Sequence, residues 1–205
     1  RKFLKYKNKS YKSEIPIIVV GNLTIGGTGK TPLVKYIATE LINRGYKPGI
    51  VSRGYGGKFK ETLKVDENTS VKETGDEAQI LSKLNIPFYI DKNRVRAVDK
   101  INKNHDCDVI ISDDGLQHYK MKRNIEIAVI DGKRRFGNNL TFPAGPLRES
   151  IKRLDSVDFI VNNTGPTEEK EFLMNISPSE FVHLKSGKSY KIDEWPMHNQ
   201  VHAVA

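Results

Sequence analysis

Cysteine is almost absent from these 205 residues: Cys107 stands alone, so the chain can close no internal disulfide. That excludes the disulfide-stapled secreted scaffolds and fits a reducing, cytoplasmic compartment. Long apolar runs are absent as well. No stretch approaches the roughly 18 apolar residues of a spanning helix. The opening segment, Arg1 to Lys12, carries charge but no apolar h-region, so no secretory signal is expected from it. His105, His183, His198 and His202 fall at no metal-ligand spacing, which sets zinc aside. There is neither an internal repeat nor a low-complexity tract.

Positive charge, by contrast, is in excess. With 34 basic and 25 acidic residues the formal net charge is +9, which favours anionic partners: a nucleotide, a nucleic acid or an acidic membrane surface. A solvated Lys-rich surface accounts for the same number. Lys2, Lys5, Lys7, Lys9 and Lys12 alternate with Phe3, Leu4, Tyr6 and Tyr11, a mixture suited to anionic headgroups and also found in RNA-binding arms.

Apolar runs at Ile15–Val20, Gly49–Ser52, Phe88–Ile90, Val109–Ser112, Ile125–Ile130 and Val157–Val161 read as buried strands. Between them lie helical patterns. Leu33, Val34, Ile37, Ala38, Leu41 and Ile42 recur at three and four residues, with Pro32 in the first turn and Gly45 as the closing residue. Asp76–Leu84 reads as a short helix, and Asn93–Asn104 as another with Val95, Val98 and Ile101 on one face. Strands alternating with helices predict an α/β fold with a mostly parallel sheet covered on both faces, whose ligands bind beyond the carboxyl ends of the strands. After Pro166 the pattern changes to a hairpin, Phe181–Leu184 with Ser189–Ile192, and an apolar stretch Val201–Ala205. The expected organisation is a basic segment 1–14, a nucleotide-binding domain 15–166, and a linker plus the start of a smaller domain 167–205.

Gly26, Gly27, Thr28, Gly29, Lys30 and Thr31 sit between a strand and a helix, the context a phosphate-binding loop requires. Glycines let successive N–H groups turn inward, and the helix N-terminus adds its partial positive charge. Lys30 would reach the β- and γ-phosphates, and Thr31 would offer its hydroxyl to Mg²⁺. The strict pattern fails at its first position, Thr24. Asp113, at the end of an apolar strand, matches the carboxylate that holds Mg²⁺ beside such a loop. Asp76, just before an apolar helix, suits an N-cap as well as it suits a catalytic carboxylate.

The motifs Gly21–Pro32, Ser52–Gly57, Gly75-Asp76-Glu77, Asp113–His118, Asp131–Gly137 and Pro143–Glu149 together resemble those of the tetraacyldisaccharide 4'-kinases, in family order across about residues 16–162. The resemblance implies a P-loop kinase fold and transfer of the ATP γ-phosphate to the 4'-hydroxyl of tetraacyldisaccharide 1-phosphate, forming lipid IVA at the cytoplasmic face of a bacterial inner membrane. It accommodates Thr24. By the same resemblance Asp76 is the catalytic base with Glu77 beside it, and Asp113, Asp114, Glu77 and Thr31 lie on the metal side. Gln117 and His118 lie near the nucleotide, and Arg53 and Arg148 face the reacting phosphates or the lipid phosphate. The cofactors implied are ATP and Mg²⁺. The partners implied are the acylated disaccharide 1-phosphate and an anionic membrane surface, with no nucleic acid and a monomeric chain. The family's second domain supplies a histidine to the catalytic aspartate, and no candidate for it is found here; a chain shortened at both ends, with weak kinase activity by itself, is the expectation.

Two rivals carry less. Partitioning-type ATPase switches have an additional lysine in this loop, where Ile25 precedes Gly26. GTPases need an Asn-Lys-x-Asp segment, which is missing.

Overall fold

The computed structural model describes residues 10–177, 180–182, 186 and 188–191. Eight strands build the main sheet: β1 (Ile17–Gly21), β2 (Pro48–Ser52), β3 (Leu63–Lys64), β4 (Phe88–Ile90), β5 (Val109–Asp113), β6 (Ile125–Asp131), β7 (Phe159–Asn163) and β8 (Glu171–Met174). Their order is β3-β4-β2-β5-β1-β6-β7-β8, and only β3 runs antiparallel to its neighbour. The helices are α1 (Lys30–Asn43), α2 (Val71–Thr74), α3 (Asp76–Ser82) and α4 (Arg94–Asn104), with a 3₁₀ turn at Ile151–Ser156.

Side chains of the central strands alternate between two cores, as the two-residue period of a strand demands. Ile17 and Val19 of β1, Val51 of β2 and Ile110 of β5 join Ala97, Val98 and Ile101 of α4 on one face. Val20, Ile50 and Ile111 join Leu33, Val34 and Ala38 of α1 and Ala78 and Leu81 of α3 on the other. Each such Leu, Ile or Val removed from water stabilises the fold by roughly 1.5–3 kcal/mol. This is the doubly wound arrangement that the alternating pattern predicts.

The details shift where local chemistry intervenes. Helix α1 ends as expected: Gly45 takes φ 82°, and the amides of Gly45 and Tyr46 return to Ile42 and Leu41, both at 2.9 Å. Ile42, however, is exposed. The strand expected at Val157–Val161 starts at Phe159, because the 3₁₀ turn caps at Val157. The sheet also continues past Pro166, since β8 pairs in parallel with β7 from Ile160↔Glu171 to Asn163↔Met174. Described residues from Asn175 onward form a second compact unit with β9 (Glu180–Val182) and β10 (Ser189–Lys191) antiparallel, Val182 opposite Ser189. The basic stretch ahead of Ser10 and the apolar end Val201–Ala205 lie outside the described residues.

Candidate phosphate site

β1, β2, β4 and β5 run parallel, so their carboxyl ends lie along the same side of the sheet as the turn between β1 and α1. Register places Val20 of β1 opposite Asp113 of β5, so the aspartate emerges beside the turn. Within the turn Gly26 and Gly29 take φ values of 100° and 89°, conformations that glycine adopts without strain. Side chains hold the turn from behind. Asn22 donates to the Gly26 carbonyl at 3.3 Å, Asn163 at the end of β7 donates to the Thr28 carbonyl at 3.2 Å, and Arg134 donates to the Gly27 carbonyl. With those carbonyls engaged, the turn's amides are left for a ligand.

Two acidic residues at the β5 end behave oppositely. Asp113 is 1% exposed, and both of its carboxylate oxygens are buried without a hydrogen-bond partner. Burial first, then the negative charge of Glu77, pushes its carboxyl up to about 7 against the pull of Lys30. Asp114 is also partly buried, which disfavours its charge, but Lys30, Arg148 and Arg94 outweigh that and hold it below the usual carboxylate range. Its oxygens accept from Arg148 Nη1 at 2.9 and 3.1 Å, and Lys30 Nζ lies 3.7 Å from Oδ1.

Arg94, at the start of α4, is 4% exposed and donates to the carbonyls of Asp113 (3.3 Å) and Asp114 (2.7 Å). Burial lowers its guanidinium to about 10, still charged at neutral pH. His118 is pushed down to about 4 by burial and by the cations Arg94, Arg123, Lys120 and Arg53 around it, so its ring is neutral. Gln117 donates to the Asn22 carbonyl at 3.0 Å and so braces the same turn. Arg53, past the end of β2, is exposed and has no hydrogen bond or ion pair among the described residues.

The structure removes one alternative at Asp76. The N-cap of α3 is Gly75, and Asp76 is the first helical residue. Its carboxylate is exposed and unpaired among the described residues, at the end of the helix where negative charge is favoured. Gly75 takes φ 82° and ψ 164°, and a Cβ there would lie 2.0 Å from the Tyr55 carbonyl oxygen. A Cβ at Gly57 would lie 2.2 Å from the Glu73 oxygen, so the loop after β2 touches the junction of α2 and α3 backbone to backbone.

Lys30, Thr31, Glu77, Asp113, Asp114, Gln117, His118 and Arg148 are therefore gathered at or against one strand-end site, with Asp76 and Arg53 on exposed elements at its rim. Among the described residues no three carboxylate, His or Cys side chains form a metal cage. Mg²⁺ on nucleotides takes one or two protein oxygens and completes its shell with phosphates and water, so Thr31 with the orphaned Asp113 carboxylate fits that demand. Cys107 is buried in the core and its thiol is pushed up to about 11 by burial, so it packs and does not react. A separate cavity of about 580 Å³, between the 3₁₀ turn and β7–β8, shares no residue with this site, and its Arg135 is already paired with Glu171 at 2.8 Å.

The family profile of "LpxK: Tetraacyldisaccharide-1-P 4'-kinase" matches residues 1–205. The chain belongs to this kinase family. It is 44% identical over 189 residues to a tetraacyldisaccharide 4'-kinase of Shewanella denitrificans, covering 92% of this chain and 57% of that protein. It is 53% identical over 159 residues to the Psychromonas ingrahamii enzyme of the same name, covering 77% of this chain and 50% of that one. A solved structure of LpxK from Aquifex aeolicus, in complex with ATP, superposes with a TM-score of 0.77 at 28% identity, covering 94% of this chain and 64% of that chain. The chain thus spans between half and three fifths of the length of these curated relatives.

Sequence reading missed three residues of the site: Arg94, Arg134 and Asn163. Arg94 carried a usable signal, since a cation in the first turn of a helix opposes the macrodipole and needs another reason to be there. Asn163 ends a strand on the ligand side of the sheet. Arg134 is a surface arginine by every local criterion.

Proposed function

We propose that the site transfers the ATP γ-phosphate to the 4'-hydroxyl of tetraacyldisaccharide 1-phosphate, peripherally at the cytoplasmic face of a membrane. One observation carries the reading: a wholly buried carboxylate, Asp113, left without a partner directly beside Lys30 and a glycine turn with its carbonyls tied back. An isolated buried charge costs several kcal/mol, and a cation delivered with the nucleotide is the partner that offsets it. Family membership and the ATP complex of the Aquifex relative support the same donor.

In this reading the amides of Gly26–Lys30 and the Lys30 ammonium hold the β- and γ-phosphates, for which Lys30 exchanges Asp114 for phosphate oxygen. Arg148 and Arg53 neutralise charge on the transferring group or on the acceptor's own phosphate. Arg94 fixes the Asp113–Asp114 backbone, and with it the direction of both carboxylates. Thr31 and Asp113 would hold Mg²⁺, with Glu77 and Asp114 nearby; the ion supplies charge neutralisation at the phosphate oxygens. Asp76 orients the sugar hydroxyl and takes its proton as the new O–P bond forms and the β,γ-bridging oxygen departs with ADP. Alignment and charge stabilisation supply most of the acceleration.

The deciding test is a phosphotransfer assay with labelled ATP and the detergent-dispersed acceptor, on a chain extended to the relatives' length. Labelled 4'-phosphate product is expected. ATP hydrolysis without labelled lipid would favour an ATPase switch instead.

A further inference from the structure

Residues 138–147 form a loop whose backbone is fully organised around an exposed apolar tip. The Phe142 amide donates to the Leu147 carbonyl at 2.7 Å and the Leu147 amide to the Leu140 carbonyl at 3.1 Å. Asn138 closes the loop from within, its Nδ2 donating to the Ala144 carbonyl at 2.9 Å and its Oδ1 accepting from the Leu140 amide at 3.1 Å. Leu147 is 0% exposed and anchors the base. The loop is also stitched to the phosphate turn, since the Ile25 amide donates to the Pro146 carbonyl at 2.8 Å and the Arg148 amide to the Leu23 carbonyl at 2.6 Å.

On this rigid frame Phe142 is 67%, Leu140 51% and Ile25 47% exposed, with Pro143 and Ala144 also in solvent. A frayed loop can show apolar side chains by chance, but here the hydrogen bonds hold them outward. The stretch that carries the tip is itself basic, although acidic groups at Asp114, Asp131, Glu168 and Glu171 pair with part of it. From Gly132 to Arg148 the chain has Lys133, Arg134, Arg135 and Arg148 and no acidic residue. Arg135 and Arg148 are engaged with Glu171 and Asp114, but the Lys133 side chain is exposed and unpaired among the described residues, and Arg134 is 58% exposed while its Nε bonds Asp131 and its Nη2 the Gly27 carbonyl. An apolar tip flanked by basic side chains is the chemistry that enters the boundary between anionic headgroups and acyl chains.

We propose that this loop is a membrane-entry element: Leu140 and Phe142, with Ile25 beside them, enter an anionic phospholipid bilayer while Lys133 and Arg134 meet the headgroups. The inference rests on the lipid-kinase reading, because a loop stitched to the phosphate turn would bring that turn to the surface where an acylated acceptor resides.

The test uses the chain extended to the relatives' length and vesicles of phosphatidylethanolamine with phosphatidylglycerol, against phosphatidylcholine alone. Phe142→Cys is labelled with a polarity-sensitive dye, the native Cys107 being buried. A blue shift on the anionic vesicles is expected, with little on the neutral ones. Leu140→Ser/Phe142→Ser should lower flotation with anionic vesicles by at least about tenfold, the scale of two apolar side chains withdrawn from lipid. Phosphorylation of detergent-dispersed acceptor by that variant should be unchanged. Vesicle binding without a dye shift, or undiminished flotation of the double variant, overturns the proposal. So does a dye already shielded from a soluble quencher without vesicles, which means that another part of the chain covers the tip. Failure of the kinase reading shows separately, as wild-type protein that floats but labels no dispersed acceptor.

Discussion

At the scale of single residues, the site separates function from stability in a measurable way. The Asp113 carboxyl, pushed up to about 7 by burial, is a liability to the ligand-free fold. Asp113→Asn should therefore raise the stability of the ligand-free protein by about 1–2 kcal/mol in denaturant titration at pH 8. The same substitution should abolish the Mg²⁺-dependent part of nucleotide binding in calorimetry. A variant that is both less stable and equally able to bind would contradict this. Asp76→Asn separates differently: with Gly75 as the N-cap, its stability should change by less than about 1 kcal/mol, while turnover falls at least about 100-fold at nearly constant nucleotide affinity. Normal turnover would remove Asp76 from the chemistry.

His118 gives a pH signature. Burial and the surrounding cations lower its folded value to about 4 from 6.5, so between those values the unfolded chain binds a proton that the folded chain refuses. Stability from this group is fully present above about pH 6.5 and is lost as pH falls toward 4. Allowing for solvent screening of a half-buried ring, the loss is about 2 kcal/mol. Asp113, shifted upward, contributes a slope of opposite sign over an overlapping range. The check is therefore the difference between wild type and His118→Gln, which should shrink steadily from pH 7 to pH 4.5. A constant difference would mean that the ring titrates normally.

At the scale of elements, the phosphate turn is held by two strands that sequence reading did not connect to it. Asn163 at the end of β7 and Arg134 after β6 each tie one carbonyl of the turn. Removing both side chains should loosen the cradle without touching the phosphates. Asn163→Ala/Arg134→Ala is expected to raise the KM for ATP about 10-fold, with kcat lowered less, as a loss of ground-state preorganisation does. An unchanged KM would assign the two tethers to folding alone.

These tethers also show what was legible in the sequence. Ile17, Val19 and Val20, or Ile110 and Ile111, announce strands because both faces of a central strand are apolar, and the glycine turn announces itself by composition. The edge elements do not. β3 is only Leu63–Lys64, α2 is a single turn, and β8 leaves Phe172 and Leu173 in solvent, so none has a periodic signature. Arg94 was hidden for a related reason: its helix was read from Val95, Val98 and Ile101, and a buried arginine whose Nη2 bonds two carbonyls looks, in sequence, like the polar face of that helix.

At the scale of the whole molecule, the two sheet edges are unequal. β3 is short and carries Lys64. β8 pairs only with β7 among the described residues and exposes Phe172 at 60% and Leu173 at 56%, with Phe172 edge-on to Phe159 at 5.9 Å. An open apolar edge is a template for association with another copy. Leu173→Lys should raise the concentration at which the protein stays monodisperse in light scattering, with a melting temperature unchanged to within a degree or two. Unaltered association would place the sticky surface elsewhere.

The backbone contact at Gly57 and Gly75 has a consequence for how this protein can vary. Most packing contacts can be re-solved, since a larger side chain on one side is accommodated by a smaller one on the other. Here the obstacles are the carbonyl oxygens of Glu73 and Tyr55, which every amino acid brings with it. No compensating substitution exists, so drift in the surrounding side chains never frees these two positions. A side chain at either glycine would therefore push the loop carrying Arg53 away from the helix carrying Asp76, whatever the surrounding side chains are.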